Sequence, residues 1–397
     1  MPKNCLITGI DIGTSGIKIL VAQKNSNADI ETLAFLNKPA LGIRKGVIIN
    51  PQNVTTVLNE AWEQVYEMIG QKINSVYVNI GGSHISCISS RGKVAVSRAD
   101  KEVSEEDIDR VLDNAKTFSI SQNKEIIDVL ATNFIVDEQS VKNAVGMKGV
   151  RLEADALMIC VFSPYYNNLQ QSISSSRFEE IKGIIPSPIA AARAVLSSSQ
   201  KELGTALLNI GEGTTGLAVY EEGNLIHLAI LPVGSLNITH DIAIGLRIDP
   251  DNAEKIKKEY GSCCLSKKEE KERIELLEPE PLTISRKELS KIIDARVSEI
   301  FEEANKELRK IGKAGSLPAG IILTGGGAKI PGILELAKKE FKLHCKIGKP
   351  KSFIGVDKDP SLSTICGLVL SGFDSEFEEK KNSWMSNFLS KLRILIP

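Results

Sequence analysis

The chain has 397 residues, of which 42% are hydrophobic and 25% charged, a composition typical of a soluble globular protein with two or more domains. Its 49 basic and 50 acidic residues give a net charge of −1, which excludes recruitment of nucleic acid by an overall positive field. No apolar run reaches the roughly 18–20 residues that span a bilayer, and the N-terminus enters a predicted strand without room for a signal peptide.

The first predicted element is a β-hairpin within Leu6–Val21, where two apolar strands flank a turn rich in Gly and Thr. A third strand is predicted at Ile30–Phe35, and a helix is predicted at Gln52–Ile69.

The segment 84–163 is predicted to form a small α+β unit inserted into the first half. Ser104 and Asp107 have the spacing of a capping box and predict the start of a helix. The predicted strands are Ile85–Ser89 and Lys93–Val96, which form a short pair, Ile126–Leu130 and Ala156–Phe162.

A second β-hairpin, within Ala206–Tyr220, resembles the first and is again followed by a strand, at Leu225–Leu231. Two similar meanders predict a duplicated α/β architecture with a cleft between the halves. Helices at Ile189–Ser197 and Ile333–Phe341 are expected to cover the sheets. The segment 241–312 is predicted to be a second, largely helical insertion, with an exposed charged loop at its centre.

The turns of both hairpins have the chemistry of phosphate sites. Glycines let the backbone approach an anion with its N–H groups converging, and Thr and Ser hydroxyls add donors. Lys18 offers a cation, and Asp11 can orient the water shell of Mg²⁺. Either turn alone is also compatible with a hairpin that binds nothing, whereas a pair facing across a cleft predicts a site. Its residues are Asp11, Gly13, Thr14, Ser15, Lys18, Asn209, Gly211, Gly213, Thr214 and Thr215.

A buried strand runs through Thr324 into Gly325, Gly326, Gly327 and Ala328. Three glycines after a strand allow a flat ligand, here adenine and ribose, to lie against bare backbone. The alternative, a tight strand-to-helix turn, needs one glycine.

These features resemble the ATPase superfamily of actin, heat-shock chaperones and sugar kinases. Within it, the chain is similar over nearly its whole length to the FtsA family of bacterial cell-division proteins. The most specific stretches are Gly81–Cys87, Asn143–Arg151 and Ile322–Ala328. The resemblance implies an actin-like duplicated (ribonuclease H-like) α/β fold, ATP with Mg²⁺ at its centre, and contacts from Glu254 and Lys257 to the ribose or adenine.

The resemblance also implies a division into subdomains around the nucleotide. The expected parts are subdomain 1A (1–83, 164–199 and 361–373), the inserted FtsA-type subdomain 1C (84–163), subdomain 2A (200–240 and 313–360), subdomain 2B (241–312), a linker (374–383) and a C-terminal helix (384–397).

Slow or absent ATP hydrolysis is expected. Asn209 stands where active relatives carry Asp, and Ser187 stands where they often carry an acid or Gln that orients water. A missing water-orienting group costs roughly 10²–10⁴ in rate.

The function implied is a polymerising scaffold that anchors FtsZ filaments and meets other division proteins at the septum, on the cytoplasmic face of the inner membrane. An actin-like ATP-binding protein of type IV pilus assembly remains an alternative, and a sugar or metabolite kinase is a weaker one. The second insertion is expected to dock the C-terminal peptide of FtsZ, with Arg296 forking onto a partner carboxylate. A solvated helix residue is the other interpretation of Arg296.

The C-terminal segment 384–397 is predicted to be an amphipathic helix that binds an anionic membrane surface. At roughly 100° per residue, seven apolar side chains share an arc of about 140°, with Lys391 and Arg393 outside it. The seven are Trp384, Met385, Phe388, Leu389, Leu392, Leu395 and Ile396.

Overall fold

The structure is a computed structural model that describes residues 6–25, 29–73, 75–117, 121–178, 180–276, 282–351, 353–356 and 358–376. Within these ranges, no helix combines the length and apolarity needed to cross a membrane. The predicted membrane helix 384–397 lies outside the described residues.

The elements up to residue 203 belong to the first half and to the unit inserted into it. The first half opens with β1 (Leu6–Gly13), β2 (Gly16–Lys24), β3 (Ile30–Lys38), β4 (Ile43–Arg44), β5 (Val47–Ile48), α1 (Pro51–Ile69) and β6 (Ser75–Ile80). The inserted unit contains β7 (Ser86–Ala95), α2 (Glu105–Ala115), β8 (Lys124–Val136), β9 (Gln139–Val141) and β10 (Arg151–Phe162). The first half resumes with α3 (Ser163–Ser174), β11 (Glu180–Pro186), α4 (Ser187–Val195) and α5 (Ser198–Leu203).

The remaining elements that the structure describes form the second half, apart from the last two, a strand of the first sheet and a helix that packs on that sheet. They are β12 (Thr205–Ile210), β13 (Thr215–Glu221), β14 (Asn224–Leu231), α6 (Ser235–Leu246), α7 (Pro250–Tyr260), β15 (Arg273–Leu276), β16 (Leu282–Ser285), α8 (Arg286–Lys310), β17 (Ile321–Thr324), α9 (Ile333–Phe341), β18 (Cys345–Ile347), β19 (Phe353–Ile354) and α10 (363–376).

The two halves repeat one strand order. The first sheet reads β11-β6-β1-β2-β3-β19, and the second begins β18-β17-β12-β13-β14. β1 pairs antiparallel with β2 and parallel with β6, just as β12 pairs with β13 and β17. The duplication predicted from the two hairpins is confirmed, and it places the turns after β1 and β12 at equivalent ends of their sheets.

The helices pack in two large apolar cores, and the first core also includes residues from one face of β12, β13 and β14. α1, α3, α4 and α10 pack on the first sheet, and α6 to α9 bury their apolar faces with the second. The run Ile17–Ala22 in β2 is almost wholly buried, as expected of a strand covered on both faces. Gly367 of α10 lies so close to α4 that an added Cβ would stand 1.7 Å from the carbonyl oxygen of Ala190. α10 therefore belongs to the core built on the first sheet, although it is the last element that the structure describes.

The inserted unit differs from its prediction in one respect. Residues 85–96 do not form a strand pair, because β7 is one continuous strand that pairs with β10. Gly92, which lies between the two predicted strands, allows close packing of α2: a Cβ on Gly92 would stand 1.9 Å from the carbonyl oxygen of Val111. The capping box is confirmed, since Ser104 Oγ accepts from the N–H of Asp107 at 3.3 Å and Asp107 Oδ2 accepts from the N–H of Ser104 at 3.0 Å.

The inserted unit also joins the second half directly. Ser86 of β7 pairs with Ala229 of β14, so the strands of the insertion continue the second sheet as β14-β7-β10-β8-β9. The insertion is therefore continuous with the sheet of the second half.

Two further segments differ from their predictions. The charged stretch expected to be a loop contains a 3-10 turn at Glu269–Lys271 and the start of β15, and Arg286 of α8 pairs with Glu269 at 3.6 Å. Residues 374–376 of the predicted linker are helical, because α10 continues through them and Asp374 pairs with Arg193 of α4.

Candidate functional site

A cleft of about 920 Å³ lies between the two halves. The turns after β1 and β12, the glycine-rich turn after β17, and residues of α6 and α7 line it. The equivalent ends of the duplicated sheets therefore face one another across this space, as the sequence predicted.

The turn after β1 is held from beneath by the end of β6. Asn79 Oδ1 accepts from the N–H of Ile12 at 2.6 Å, and Asn79 Nδ2 donates to Ser187 Oγ at 3.0 Å. Asp11 is 6% exposed and lies 3.4 Å from the ammonium of Lys18. A buried carboxylate beside a cation, on a rigid strand end, is suited to bind a hydrated metal ion or to orient water.

The turn after β12 leads into the N-terminus of α6. The carbonyls of Gly211 and Glu212 accept from the N–H groups of Ser235 at 2.9 Å and Leu236 at 2.8 Å. Thr215 does not line the cleft: it is fully buried, and its hydroxyl donates to the carbonyl of Val233 at 2.8 Å. Its prediction as a ligand residue is therefore corrected to a structural role that holds the base of the turn.

The two turns touch through a small hairpin that the sequence did not reveal. Lys45 and Gly46 form the tip of the hairpin made by β4 and β5. The N–H of Gly46 donates to Thr14 Oγ1 in the first turn at 3.0 Å. A Cβ on Gly213 would stand 2.6 Å from Thr14 Oγ1 and 3.0 Å from Lys45 Cα. This close approach requires glycine at 213, and it places the two halves in contact at the floor of the cleft.

The glycine-rich turn has separate reasons for its three glycines. Gly325 has φ 85°, and Cβ atoms on Gly325 or Gly327 would collide with Ile210 of β12. Gly326 is exposed to the cleft, and the nearest atom to its Cβ position is Ser361 Cβ at 3.9 Å. Ala328 is buried in the core of the second half and does not line the cleft, which corrects its assignment. Among these three glycines, only Gly326 therefore leaves open space for a ligand where a side chain would otherwise stand.

The residues expected at the ribose or adenine form a network on α6 and α7. Glu254 accepts from Lys257 at 2.6 Å and from Thr239 at 2.5 Å, and Lys257 donates to the carbonyl of Ser235 at 3.1 Å. Burial alone would raise the pKa of Glu254, but the hydrogen bonds from Lys257 and Thr239 outweigh it and lower the pKa. Burial and the charge of Glu254 raise the pKa of Glu212 in the turn after β12.

The cleft brings together most of the predicted ligand residues. Those that line it are Asp11, Gly13, Thr14, Ser15, Lys18, Asn209, Gly211, Gly213, Thr214, Glu254, Lys257, Gly325, Gly326 and Gly327. Sequence reasoning did not find Asn79, Gly46, Glu212, Thr239, Ser361 and Thr364, which also line it. Glu212 lies within the quoted turn and could have been noticed there, whereas nothing in their local sequence marks the others.

Arg296 lies on α8, outside the cleft. Asp241 accepts from its Nε at 2.6 Å and from a terminal nitrogen at 2.9 Å, and Glu299 accepts from the other terminal nitrogen at 2.6 Å. The fork that was assigned to a partner carboxylate is therefore filled within the chain.

Models of known protein families match two parts of the chain. The model described as cell division protein FtsA matches residues 206–367, and the model of the SHS2 domain inserted in FtsA matches residues 82–160. The second match coincides with the unit formed by β7 to β10.

Curated relatives match almost the full length. Cell division protein FtsA of Pseudomonas aeruginosa is 34% identical over 379 residues, covering 94% of this chain and 90% of the relative. Cell division protein FtsA of Bacillus subtilis is 34% identical over 373 residues, covering 93% of this chain and 84% of the relative.

Solved structures share the fold at low sequence identity. A PilM–PilN type IV pilus biogenesis complex matches with a TM-score of 0.64 at 14% identity, covering 92% of this chain and 98% of that one. MreB5 of Spiroplasma citri bound to ADP matches with a TM-score of 0.58 at 16% identity, covering 96% and 99%. These matches show that the fold is actin-like, as predicted. The family models and full-length relatives decide against the pilus alternative, and the chain belongs to the FtsA family of bacterial cell-division proteins.

Proposed function

We propose that the cleft binds ATP with Mg²⁺ and that the chain is a nucleotide-gated, polymerising scaffold of the division ring. One observation carries the nucleotide assignment: two glycine turns from opposite halves and the side-chain-free face of Gly326 line the same cleft. Such turns offer convergent backbone N–H groups to phosphate oxygens, and bare backbone accepts a planar base.

The charges at the phosphate end support a metal-bound nucleotide. Asp11 and Glu212 bring carboxylates to the turns, where they would repel a bare triphosphate. A divalent cation held through water by Asp11 would remove this repulsion. Lys18 supplies a further positive charge from β2.

At the other end, Glu254 and Lys257 are placed to hydrogen-bond the ribose or adenine. In the structure they satisfy one another and Thr239, so ligand binding exchanges intrachain hydrogen bonds for bonds to the nucleoside. This exchange links the position of α7 to occupancy of the cleft.

We expect hydrolysis to be slow. Asn209 is neutral and its amide donates to Thr364 Oγ1 at 3.2 Å, and the hydroxyl of Ser187 donates to the carbonyl of Ile80 at 3.1 Å. Neither group is placed as a free base beside an attacking water.

The nucleotide assignment is tested by Gly326→Asp. Because the Cβ position at 326 faces open cleft, the folded structure accommodates the new side chain, whose carboxylate would occupy ligand space and repel phosphates. We expect Mg-ATP affinity, measured by isothermal titration calorimetry, to fall by roughly a hundredfold or more.

Gly326→Ala is the matched control, since it adds only the Cβ without the charge, and it should weaken Mg-ATP binding by much less than Gly326→Asp. Unchanged affinity in Gly326→Asp, with thermal stability equal to that of the parent, would remove the adenosine assignment.

For the scaffold role, we propose the four-subdomain division predicted from the sequence and self-assembly into filaments. We also propose docking of the C-terminal peptide of FtsZ near Arg296, contacts with other division proteins, and attachment to the cytoplasmic face of the inner membrane at the septum through 384–397. Membership of the FtsA family supports these assignments.

A further inference from the structure

A cysteine, a histidine and a glutamate form a line where the inserted unit meets the second half. Cys87 Sγ on β7 lies 3.5 Å from His227 Nδ1 on β14, and His227 Nε2 lies 3.0 Å from Glu307 Oε2 on α8. As a thiol, Cys87 donates its S–H to the carbonyl of Leu228 at 3.2 Å, and the N–H of Leu228 donates to the sulfur at 3.5 Å.

The imidazole of His227 therefore contacts a thiol through Nδ1 and a carboxylate through Nε2. A carboxylate that accepts from Nε2–H stabilises the protonated ring, which can then donate Nδ1–H to a thiolate. A thiolate so held is the reactive form of cysteine.

The electrostatics agree with this arrangement. Burial alone would raise the pKa of the Cys87 thiol, but the hydrogen bonds from His227 and the Leu228 backbone outweigh it and lower the pKa. Burial alone would lower the pKa of His227, but Cys87 and Glu307 together raise it. Lys310 of α8 pairs with Glu307 at 2.6 Å. Two charged residues of β8 lie nearby. Lys124 donates to Ser86 Oγ at 3.2 Å. Ile159 of β10 pairs with Cys87 on one side and with Asp128 of β8 on the other.

We propose that Cys87 is a modification site, a thiolate held by His227 and Glu307 that reacts with low-molecular-weight disulfides. The thiolate attacks one sulfur of the disulfide, a new S–S bond to Cys87 forms, and the old S–S bond breaks. The other half of the disulfide leaves as a thiolate, which takes a proton from water. Cys87 is oxidised and the departing half is reduced, so no further oxidant is needed.

The remaining cysteines that the structure describes lack these features. Cys160, Cys263, Cys345 and Cys366 are buried, whereas Cys87 is partly exposed. Cys264 is more exposed, but burial and the charge of Asp294 raise the pKa of its thiol. Cys264 is therefore an internal reference for an accessible thiol whose pKa is raised.

The position of Cys87 gives the reaction a structural consequence. Its neighbours come from the inserted unit, from the second sheet and from α8, so an adduct on the sulfur must displace the imidazole that joins the three. Modification would loosen the contact between the insertion and the second half without touching the cleft.

The test measures alkylation of the full chain by iodoacetamide between pH 5.5 and 9, with peptide mass spectrometry reporting Cys87 and Cys264 separately. An ordinary thiol is roughly 1% ionised at pH 6.5, so Cys264 should react slowly there while Cys87 keeps most of its high-pH rate. Glutathione disulfide should add one glutathionyl group at Cys87, which dithiothreitol removes.

His227→Gln keeps a polar side chain at this position, but the amide cannot become a cation as the imidazole can. The variant should slow alkylation of Cys87 at pH 6.5 by roughly tenfold or more, with little effect at pH 9. Glu307→Gln should shift the profile in the same direction by less. The proposal is overturned if alkylation of Cys87 in the parent protein depends on pH as that of Cys264 does. It is also overturned if His227→Gln leaves the pH dependence of Cys87 alkylation unchanged. The parent profile decides the matter even if a variant fails to fold.

Discussion

The guanidinium of Arg296 joins α8 to α6 through two hydrogen bonds to Asp241. The Arg296 side chain is 23% exposed. A forked pair of this kind fixes two helices together, and it also displays the remaining N–H groups at the surface. Arg296 can therefore serve partner docking, the packing of α6 on α8, or both. The two roles differ in how they respond to loss of Asp241.

Arg296→Ala should weaken binding of the C-terminal FtsZ peptide by roughly tenfold or more, because it removes the donors for the partner carboxylate. Alanine is preferable to glutamate here, since a new carboxylate would stand beside Asp241 and Glu299. Asp241→Ala should leave binding intact, because it frees the guanidinium. Fluorescence anisotropy of a labelled peptide measures both. Equal losses in the two variants would show that the pair only holds the helices, and the docking site would have to lie elsewhere.

Among the elements, the β4–β5 hairpin has the least sequence signal and a central position. Its tip donates to Thr14 in the first turn and packs against Gly213 in the second. Gly46 also lies against Gly82, which precedes the inserted unit. A change in the distance between the two turns must therefore displace this hairpin.

Gly213→Ala should weaken Mg-ATP binding by roughly tenfold or more and lower the free energy of unfolding by about 1–3 kcal/mol, because its Cβ overlaps Thr14 and Lys45. Calorimetric titration and urea unfolding measure the two effects. Gly326→Ala places the same methyl group in the open part of the same cleft and should leave the free energy of unfolding unchanged. Similar behaviour of the two variants would contradict the close contact of the turns.

For the whole molecule, the proposed membrane attachment depends on 384–397, the segment predicted to be an amphipathic helix. Full burial of a large apolar side chain contributes roughly 1.5–3 kcal/mol, and ordering a residue costs about 1 kcal/mol or more, so one helix gives only weak attachment. Polymerisation would strengthen it, since neighbouring tails on one filament bind at high effective concentration.

Replacing Trp384 and Phe388 with Glu should release the protein from anionic liposomes in co-sedimentation, with ATP binding unchanged, because both side chains lie in the predicted apolar arc. Ser386→Glu with Ser390→Glu adds the same charge outside that arc and should retain more binding. Parent-like sedimentation of the first pair, or equal loss in both pairs, would show that burial of the apolar face does not hold the membrane.

Local patterns in the sequence determined the two hairpins, the capping box of α2, the position of α9 and most residues of the cleft. Each of these depends on neighbours in the chain: strand periodicity, a cap three residues from its partner, or glycines within one turn. The duplication followed because the same local pattern occurs twice.

Only the tertiary structure decided how distant segments meet. β7 is one strand because it pairs with β10 along its length, and Asp241 fills the fork of Arg296 from another helix. Asn79, Thr364 and the β4–β5 hairpin reach the cleft from separate parts of the chain. Cys87, His227 and Glu307 come from three elements. Such contacts join residues far apart in sequence, so no local periodicity or motif spacing encodes them, and packing of the folded halves alone determines which side chains meet.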